Sequence, residues 1–397
     1  MPPNGKTIPI SGGLVHDDDG DTSHPARADI SILGDSIASV NRWDAGEPRA
    51  AHADVVIHAT DTCAPDHAGK KESWMPDQPA ASRLAAFEHI PIVDIGGARD
   101  PARRAALAAQ VVAVAEEVGF MYIVGHGIGD DILDGVFDMG RRFFDLPDAE
   151  KRKIHISRSP QYRGYLGLLE KGNTDPSFKG NNLEAFHCGT ELEETHPDVQ
   201  AGLPLRGPNL WPSAPDGFRD IVYSYYERTY QVGTTLLELL AEGLGRPTDA
   251  FLKYYDHSVS QLRLLRYAQI DDPKVELLAR SHCDTGVITI LSQDQTGGLE
   301  VLNRNGEWIA APPVKGSYII NIGNTLQFWT RGRLSSTHHR VANRGGAPRF
   351  SIPFFMTPDF DALLKPLGSD DDPDAPTFRV GEEMLNTYRR IWPSPAA

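Results

Sequence analysis

The sequence predicts a mainly β protein with flanking helices, built around a double-stranded jelly-roll core. Two observations carry that prediction. Beyond residue 260 the chain breaks into short apolar runs separated by turn chemistry such as Asn303-Arg304-Asn305-Gly306, with no alternation of strand and helix. That pattern favours stacked antiparallel sheets over a parallel α/β sheet. The second observation is a spacing. His282 and Asp284 are two apart, so an extended strand sends both side chains to one face and Cys283 to the other. His339 lies 339 − 284 = 55 positions beyond Asp284, far enough to return on a separate strand of the same sheet.

Bulk properties bound the rest. A length of 397 residues suits one large domain with an appendage, or two domains. Hydrophobic content of 40% with 30 prolines fits a globular, loop-rich chain with ample core. The formal net charge of −15 argues against a nucleic-acid partner, whose phosphates demand basic patches. It does not fix the substrate, because one pocket can differ from the whole. Three cysteines, Cys63, Cys188 and Cys283, give no disulfide framework and fit a reducing cytoplasm. The first fifteen residues lack an apolar signal-peptide core, and no apolar run approaches membrane length. The expectation is a cytoplasmic protein with a small-molecule substrate and no membrane partner, its oligomeric state open.

Taken in order, residues 1–85 form an appendage. Short β-like runs at 8–15, 29–40 and 54–57 are interrupted by the acidic turn at 17–21, and the polar stretch 69–82 reads as linker. Residues 86–250 mix strand and helix. Residues 90–95 are a strand, Asp100-Pro101 is an N-cap followed by proline at the first helical position, and Leu107, Val111, Val114, Ala115 and Val118 recur at helical spacing until Gly119. A strand over 120–124 and helices over 131–144 and 216–244 follow. Residues 251–397 hold the jelly roll, with a strand from Gln261 to Tyr267 and further strands at 287–291, 299–302, 317–322, 326–329 and 350–355.

The chemistry-bearing residues lie in this last part. Two imidazoles and one carboxylate can bind one face of a ferrous ion and leave the opposite face open, the ligand set of non-haem iron oxygenases. His282, Asp284 and His339 supply it. His338 competes with His339, but neighbouring strand residues face opposite sides, so only one of the two can bind. Arg349 and Ser351, two apart on one strand, share a face and can meet a carboxylate with a guanidinium fork and a hydroxyl.

These motifs, H-x-D, then His339-Arg340-Val341, then Arg349-Phe350-Ser351 ten residues after His339, resemble the 2-oxoglutarate/Fe(II) oxygenases related to isopenicillin N synthase. The resemblance covers roughly residues 90–393. It implies a cupin-like jelly roll and a dioxygenase using Fe(II), O2 and 2-oxoglutarate as co-substrate, which oxidises a small molecule by hydroxylation, desaturation or cyclisation and releases succinate and CO2. It assigns the metal to His282, Asp284 and His339, with His339 favoured over His338 by the Arg-Val that follows. It also places Arg349, Ser351 and Tyr267 at the co-substrate, although Ala268-Gln269 replaces the usual prolines beside Tyr267. Segments Tyr162–Tyr165 and 182–186 resemble pocket-edge segments of the family, which makes Arg163, Tyr165, Glu184 and Phe186 substrate candidates, with Leu183 in place of the usual lysine. His126 falls in a Gly-His-Gly turn that is structural in the family, and Asn324 replaces a structural aspartate.

Two other readings stand beside this one. An oxidase of the same fold, isopenicillin N synthase-like or ethylene-forming, would need no separate oxo acid or would consume it differently. The appendage resembles the opening β-sandwich strands of amidohydrolases. There the metal-binding H-x-H expected after the next strand is replaced by Pro65-Asp66-His67-Ala68, which argues against a zinc amidohydrolase, and the intact triad argues against a non-catalytic binding module.

Overall fold

The structure, a computed structural model, describes residues 86–170, 182–272 and 274–392, together with four short backbone strands in the first 48 residues. The chain divides into two compact units, Met1–Ala64 and Pro65–Ala397. In the first, strands Thr7–Ile8, Arg27–Leu33, Ser36–Asp44 and Glu47–Pro48 pair antiparallel in that order. The run expected over 29–40 is thus a hairpin of two strands. The turn at 17–21, the run at 54–57 and the linker at 69–82 lie outside the described residues.

The second unit is a jelly roll of two sheets. Its larger sheet takes β1 (Ile92–Asp94), β2 (Phe120–Val124), β3 (Gly164–Leu166), β4 (Leu183–Gly189) and β5 (Gln261–Tyr267) together with three later strands. The smaller sheet takes β6 (Leu277–His282), β8 (Leu299–Leu302), β9 (Trp308–Ala310) and β11 (His339–Ala342). The remaining strands of the larger sheet are β7 (Ile288–Gln293), β10 (Tyr318–Ile322) and β12 (Arg349–Met356). The orders are β1-β2-β10-β7-β12-β5-β4-β3 and β6-β11-β8-β9. Every pairing is antiparallel except β1 with β2.

Helices α1 (Pro101–Glu117), α2 (Asp130–Phe144) and α3 (Phe218–Gly243) pack on the larger sheet. The short α4 (Asn324–Trp329) follows, and the C-terminal α5 (Val380–Ile391) lines the cavity described below. In α1 the side chain of Asp100 accepts from Ala102 N–H and Pro101 opens the first turn, so the local sequence starts the helix where expected. Gly119, at φ +71°, then turns the chain into β2. The stripe Val232, Leu236, Leu239 and Leu240 of α3 is buried, as its spacing predicts.

One expected strand is a helix. Residues 326–329 belong to α4, with Thr325, Leu326, Phe328 and Trp329 buried. A short apolar run fits either period, and here Gly323 settles it by letting the chain turn sharply at the helix start. A Cβ at Gly323 would stand 2.1 Å from the Gly286 carbonyl oxygen, so this position accepts only glycine and brings the loop after β6 onto the start of α4.

The contact between α1 and α3 is equally tight. A Cβ on Gly243 would stand 2.3 Å from the Ala108 carbonyl oxygen and 2.6 Å from Val112 Cγ2, whereas one on Gly135 in α2 would meet nothing within 4 Å. Glycine in a helix ordinarily costs about 0.5–1 kcal/mol relative to alanine. Gly135→Ala should therefore raise the thermal midpoint. Gly243→Ala, forced against backbone, should lower stability by about 1–3 kcal/mol. Thermal denaturation of the two variants checks the packing, and the reverse ordering would refute it.

Candidate active site

A cavity of about 840 Å³ lies between the two sheets of the second unit, a size suited to a small molecule. At one side of it the smaller sheet sets His282 directly opposite His339 across the β6–β11 pair. The strand ends at His282, so Asp284 reaches the same place from the loop that follows rather than by strand alternation. Among the described residues, these three form the cluster whose ligand atoms all lie within 4.8 Å of one another. Each imidazole Nε2 stands 3.8 Å from Asp284 Oδ1. His338 points elsewhere, its Nδ1 3.1 Å from Ser281 Oγ. Cys283 Sγ lies 3.8 Å from the Ser336 carbonyl oxygen.

The partners of these three residues decide which atoms face inward. His282 Nδ1 is 2.8 Å from the Arg280 carbonyl oxygen and His339 Nδ1 is 3.3 Å from that of Thr337. With the Nδ1 protons donated to carbonyls, both Nε2 lone pairs are left for an ion. Asp284 Oδ2 accepts from Thr289 Oγ1 at 2.5 Å and Asn321 Nδ2 at 2.8 Å, which leaves Oδ1 facing the histidines. Burial alone would raise the Asp284 pKa. The facing His339 and His282 and the hydrogen bonds from Thr289 and Asn321 instead hold it below the usual carboxylate value. Burial, reinforced by His282, lowers His339 to about 4. Asp284 is therefore charged and His339 neutral at neutral pH, the states in which each can bind a divalent ion. Phe120 packs edge-on against His339, with ring centroids 5.3 Å apart, and walls this side of the site.

Across the cavity Arg349 and Ser351 project from β12, and Tyr267 of β5 is the cross-strand partner of Arg349. All three are buried and line the cavity. Arg349 Nε donates to the Gly297 carbonyl at 2.7 Å, Nη1 to Ser351 Oγ at 3.0 Å and Nη2 to Gln293 Oε1 at 3.3 Å, and its Cζ sits 5.1 Å from the Tyr267 ring centre. It makes no ion pair among the described residues. Burial pulls the Arg349 pKa down and pushes that of Tyr267 up. A guanidinium this enclosed and lacking a carboxylate can receive an anion brought from outside.

The four residues at the expected pocket edge are not brought to the cavity. Arg163 is buried with its donors spent on the carbonyls of Thr190, Gly207 and Leu205. Tyr165 donates to Glu184 at 2.8 Å, and Glu184 also holds Lys151 and Arg266. Phe186 packs among Phe143, Trp211 and Phe218. The physical reason is strand parity. On β4 the residues that line the cavity are Leu183, Ala185 and His187, so Glu184 and Phe186 face the opposite way. His126 is structural as expected, with Nε2 3.1 Å from the Gly316 carbonyl. Sequence reasoning missed Thr289, Asn321, His187 and Arg263. The one available signal was for Arg263, which shares strand parity with Tyr267.

Residues 90–214 match the family described as non-haem dioxygenase in morphine synthesis N-terminal, and residues 255–358 match the 2OG-Fe(II) oxygenase superfamily. A probable iron/ascorbate oxidoreductase of Dictyostelium discoideum is 34% identical over 77% of this chain and 96% of its own length. The 2-oxoglutarate-dependent dioxygenase frbJ of a Dothideomycetidae species is 35% identical over 74% of this chain and 79% of its own. Among solved structures, a 2OG-Fe(II) oxygenase family protein from Caulobacter crescentus is 28% identical, with TM-score 0.66 over 76% of this chain and 99% of that one. JOX2 in complex with 2OG, Fe and JA is 26% identical, with TM-score 0.64 over 82% and 93%.

The partners of Asp284 are open to test. Asn321→Leu removes one of its two hydrogen bonds while keeping volume, and loss of such a partner typically weakens metal binding about 10–100-fold. Fe(II) titration of that variant under anaerobic conditions should show a weakening in this range with the fold intact. Unchanged affinity would mean that Asp284 is oriented by something other than these bonds.

Proposed function

This chain belongs to the 2OG-Fe(II) oxygenase superfamily, and from that premise we propose that His282, Asp284 and His339 hold its iron while Arg349, Ser351 and Tyr267 hold its co-substrate. It is a 2-oxoglutarate-dependent dioxygenase, an oxidoreductase that uses Fe(II), 2-oxoglutarate and O2. The observation that carries the assignment of residues is the pair of complementary sites on opposite walls of one cavity: a preset ligand triad and a buried, unpaired guanidinium. Fe(II) and 2-oxoglutarate, when bound, would supply oxidation by O2 with release of CO2 and succinate. The protein's residues would do the rest. Asp284 would give the metal a charge partner, and the two imidazoles would complete its protein ligands. Arg349 receives the far carboxylate of 2-oxoglutarate with a fork that lysine cannot reproduce, and Ser351 keeps its own O–H for the same oxygen. Phe120 and the apolar wall of the cavity limit water around the reacting centre. The substrate is a small molecule held between the sheets, oxidised by hydroxylation, desaturation or cyclisation.

Residues 1–85 we read as an appendage to a catalytic part spanning 86–397, in which 86–250 packs its helices on the jelly-roll core of 251–397. The hairpin strands of the first unit support a small β module of the amidohydrolase-sandwich kind. We place the enzyme in the cytoplasm; among the described residues no helix is long and apolar enough to cross a membrane.

Two experiments test this. Removing one partner of a buried charge-assisted contact costs about 2–5 kcal/mol, and 1.4 kcal/mol is about tenfold. Arg349→Ala should raise the 2-oxoglutarate concentration needed for succinate release by roughly 30-fold or more. Arg349→Lys should recover only part of that, and Ser351→Ala should lose much less. Oxygen uptake by the wild type that depends on substrate but not on 2-oxoglutarate would overturn the co-substrate assignment. In the second experiment, a chain beginning at Ala86 should still bind Fe(II) and release succinate, because every site residue lies beyond it. A folded but inactive product would show that the first 85 residues belong to the working enzyme.

A further inference from the structure

A second cation, the part-buried Arg263, lines the same cavity. Arg263 on β5 is the cross-strand partner of His187 on β4, and both line the cavity. The Arg263 guanidinium packs against two aromatic rings, its Cζ 4.5 Å from the Phe355 centre and 4.7 Å from the Trp392 centre. Its Nε donates to Gln261 Oε1 at 2.9 Å, and the Tyr388 hydroxyl lies beside it. These neutral contacts leave terminal N–H donors of Arg263 for a ligand. Among the described residues Arg263 makes no ion pair. Asp284 lies near enough for its charge to be felt, which places this cation toward the metal side of the cavity.

His187 is 1% exposed, and neither ring nitrogen has a hydrogen-bond partner among the described residues. Leaving such a group unsatisfied in the interior costs about 1–3 kcal/mol, a cost that a polar group of a bound substrate reaching it would offset. The Trp392 ring meets it edge-on at 4.7 Å and covers this end of the cavity together with Tyr388 of α5. Burial, with Arg263 adding to it, holds His187 far below the ordinary imidazole value. It stays neutral and offers one N–H and one lone pair.

We propose that Arg263 and His187 form the specificity site for the primary substrate, and that this substrate carries a carboxylate lying in the plane of the guanidinium beside an aromatic or other flat body. A planar carboxylate fits the edge of a guanidinium with two parallel bonds. The neutral imidazole adds one bond to the same group or to a polar atom next to it. Phe355, Trp392 and Tyr388 supply the apolar contact for the body. The proposal rests on the dioxygenase reading above, because it assumes that Arg349 is taken by 2-oxoglutarate.

The test measures binding by calorimetry to the full chain, loaded with Fe(II) and saturating 2-oxoglutarate without oxygen. The probes are cinnamate and phenylacetate, each against its neutral amide. The acids should bind at least about tenfold tighter than the amides, the difference expected when a hydrogen-bonded charge is replaced by a neutral group. Arg263→Gln should erase that preference, Arg263→Lys should restore part of it, and His187→Phe should weaken the acids several-fold while preserving the shape of the wall. The visible band of iron-bound 2-oxoglutarate, followed in parallel, reports co-substrate binding separately. Equal binding of acid and amide, a preference that survives in Arg263→Gln, or no binding of either acid at millimolar concentration overturns the proposal. With Arg349→Ala still impairing 2-oxoglutarate binding, each of these results would leave the dioxygenase reading standing. Loss of 2-oxoglutarate binding in Arg263→Gln but not in Arg349→Ala would put the co-substrate on Arg263 and overturn both.

Discussion

The structure depends on one cross-strand pair, His282 opposite His339 on the smaller sheet. Each ring turns its Nδ1 to the carbonyl of the residue two positions before it, Arg280 or Thr337, so the two imidazoles are set by the same local device. Asp284 is tied instead to the larger sheet, through Thr289 of β7 and Asn321 of β10. The triad therefore spans both sheets, and the jelly roll must close correctly for the three ligand atoms to meet. Gly323 serves the same end by letting the loop that carries Asp284 approach the start of α4, where Asn324 N–H donates to the Asp284 carbonyl at 2.7 Å.

Three arginines, Arg163 and Arg349 buried and Arg263 partly so, differ in how they use their donors. Arg163 gives its donors to three backbone carbonyls and needs nothing more. Arg349 and Arg263 each keep terminal donors toward the cavity, with no carboxylate paired to them among the described residues. Burying a charge without a counter-ion costs several kcal/mol even after relaxation. Ring contacts and neutral acceptors offset part of this, and an incoming anion can offset the remainder. The same residue type thus spends its donors on the backbone in one place and keeps donors for a ligand in two others, and its hydrogen bonds tell which.

The residues of the triad and Arg349 could be picked out in the sequence because H-x-D, His339-Arg340-Val341 and Arg349-Phe350-Ser351 together resemble one family pattern; strand period alone would not place Asp284, which reaches the cluster from a loop. The strands β5, β7, β8, β10 and β12 were legible as short apolar runs bounded by turn residues, and the long helices by a period of 3.6. Where burial is two-sided the period vanishes. Every residue of β4 is buried, so nothing in Leu183–Gly189 tells which parity faces the cavity, and Glu184 and Phe186 were placed on the wrong side for that reason. Residues 326–329 gave a short apolar run that fits strand or helix equally. Thr289 and Asn321 are ordinary polar residues until Asp284 is brought against them by contacts across the fold.

The ion cluster behind the cavity wall has a part in this parity. Glu184 accepts from Lys151 at 2.6 Å, from Tyr165 at 2.8 Å and from Arg266, and Arg266 also reaches Asp145 at 2.8 Å. A buried network of this kind contributes little net stability, because desolvation offsets most of the attraction. It does discriminate strongly between registers. A one-residue slip of β4 against β5 would turn every side chain to the other face. Glu184 would then enter the cavity without its cations, and His187 would leave the wall it shares with Arg263. Each alternative strands a buried charge, which costs about 3–5 kcal/mol. The cluster that looked like a substrate contact in the sequence acts from the far side of the sheet, by fixing which residues can be the substrate contacts.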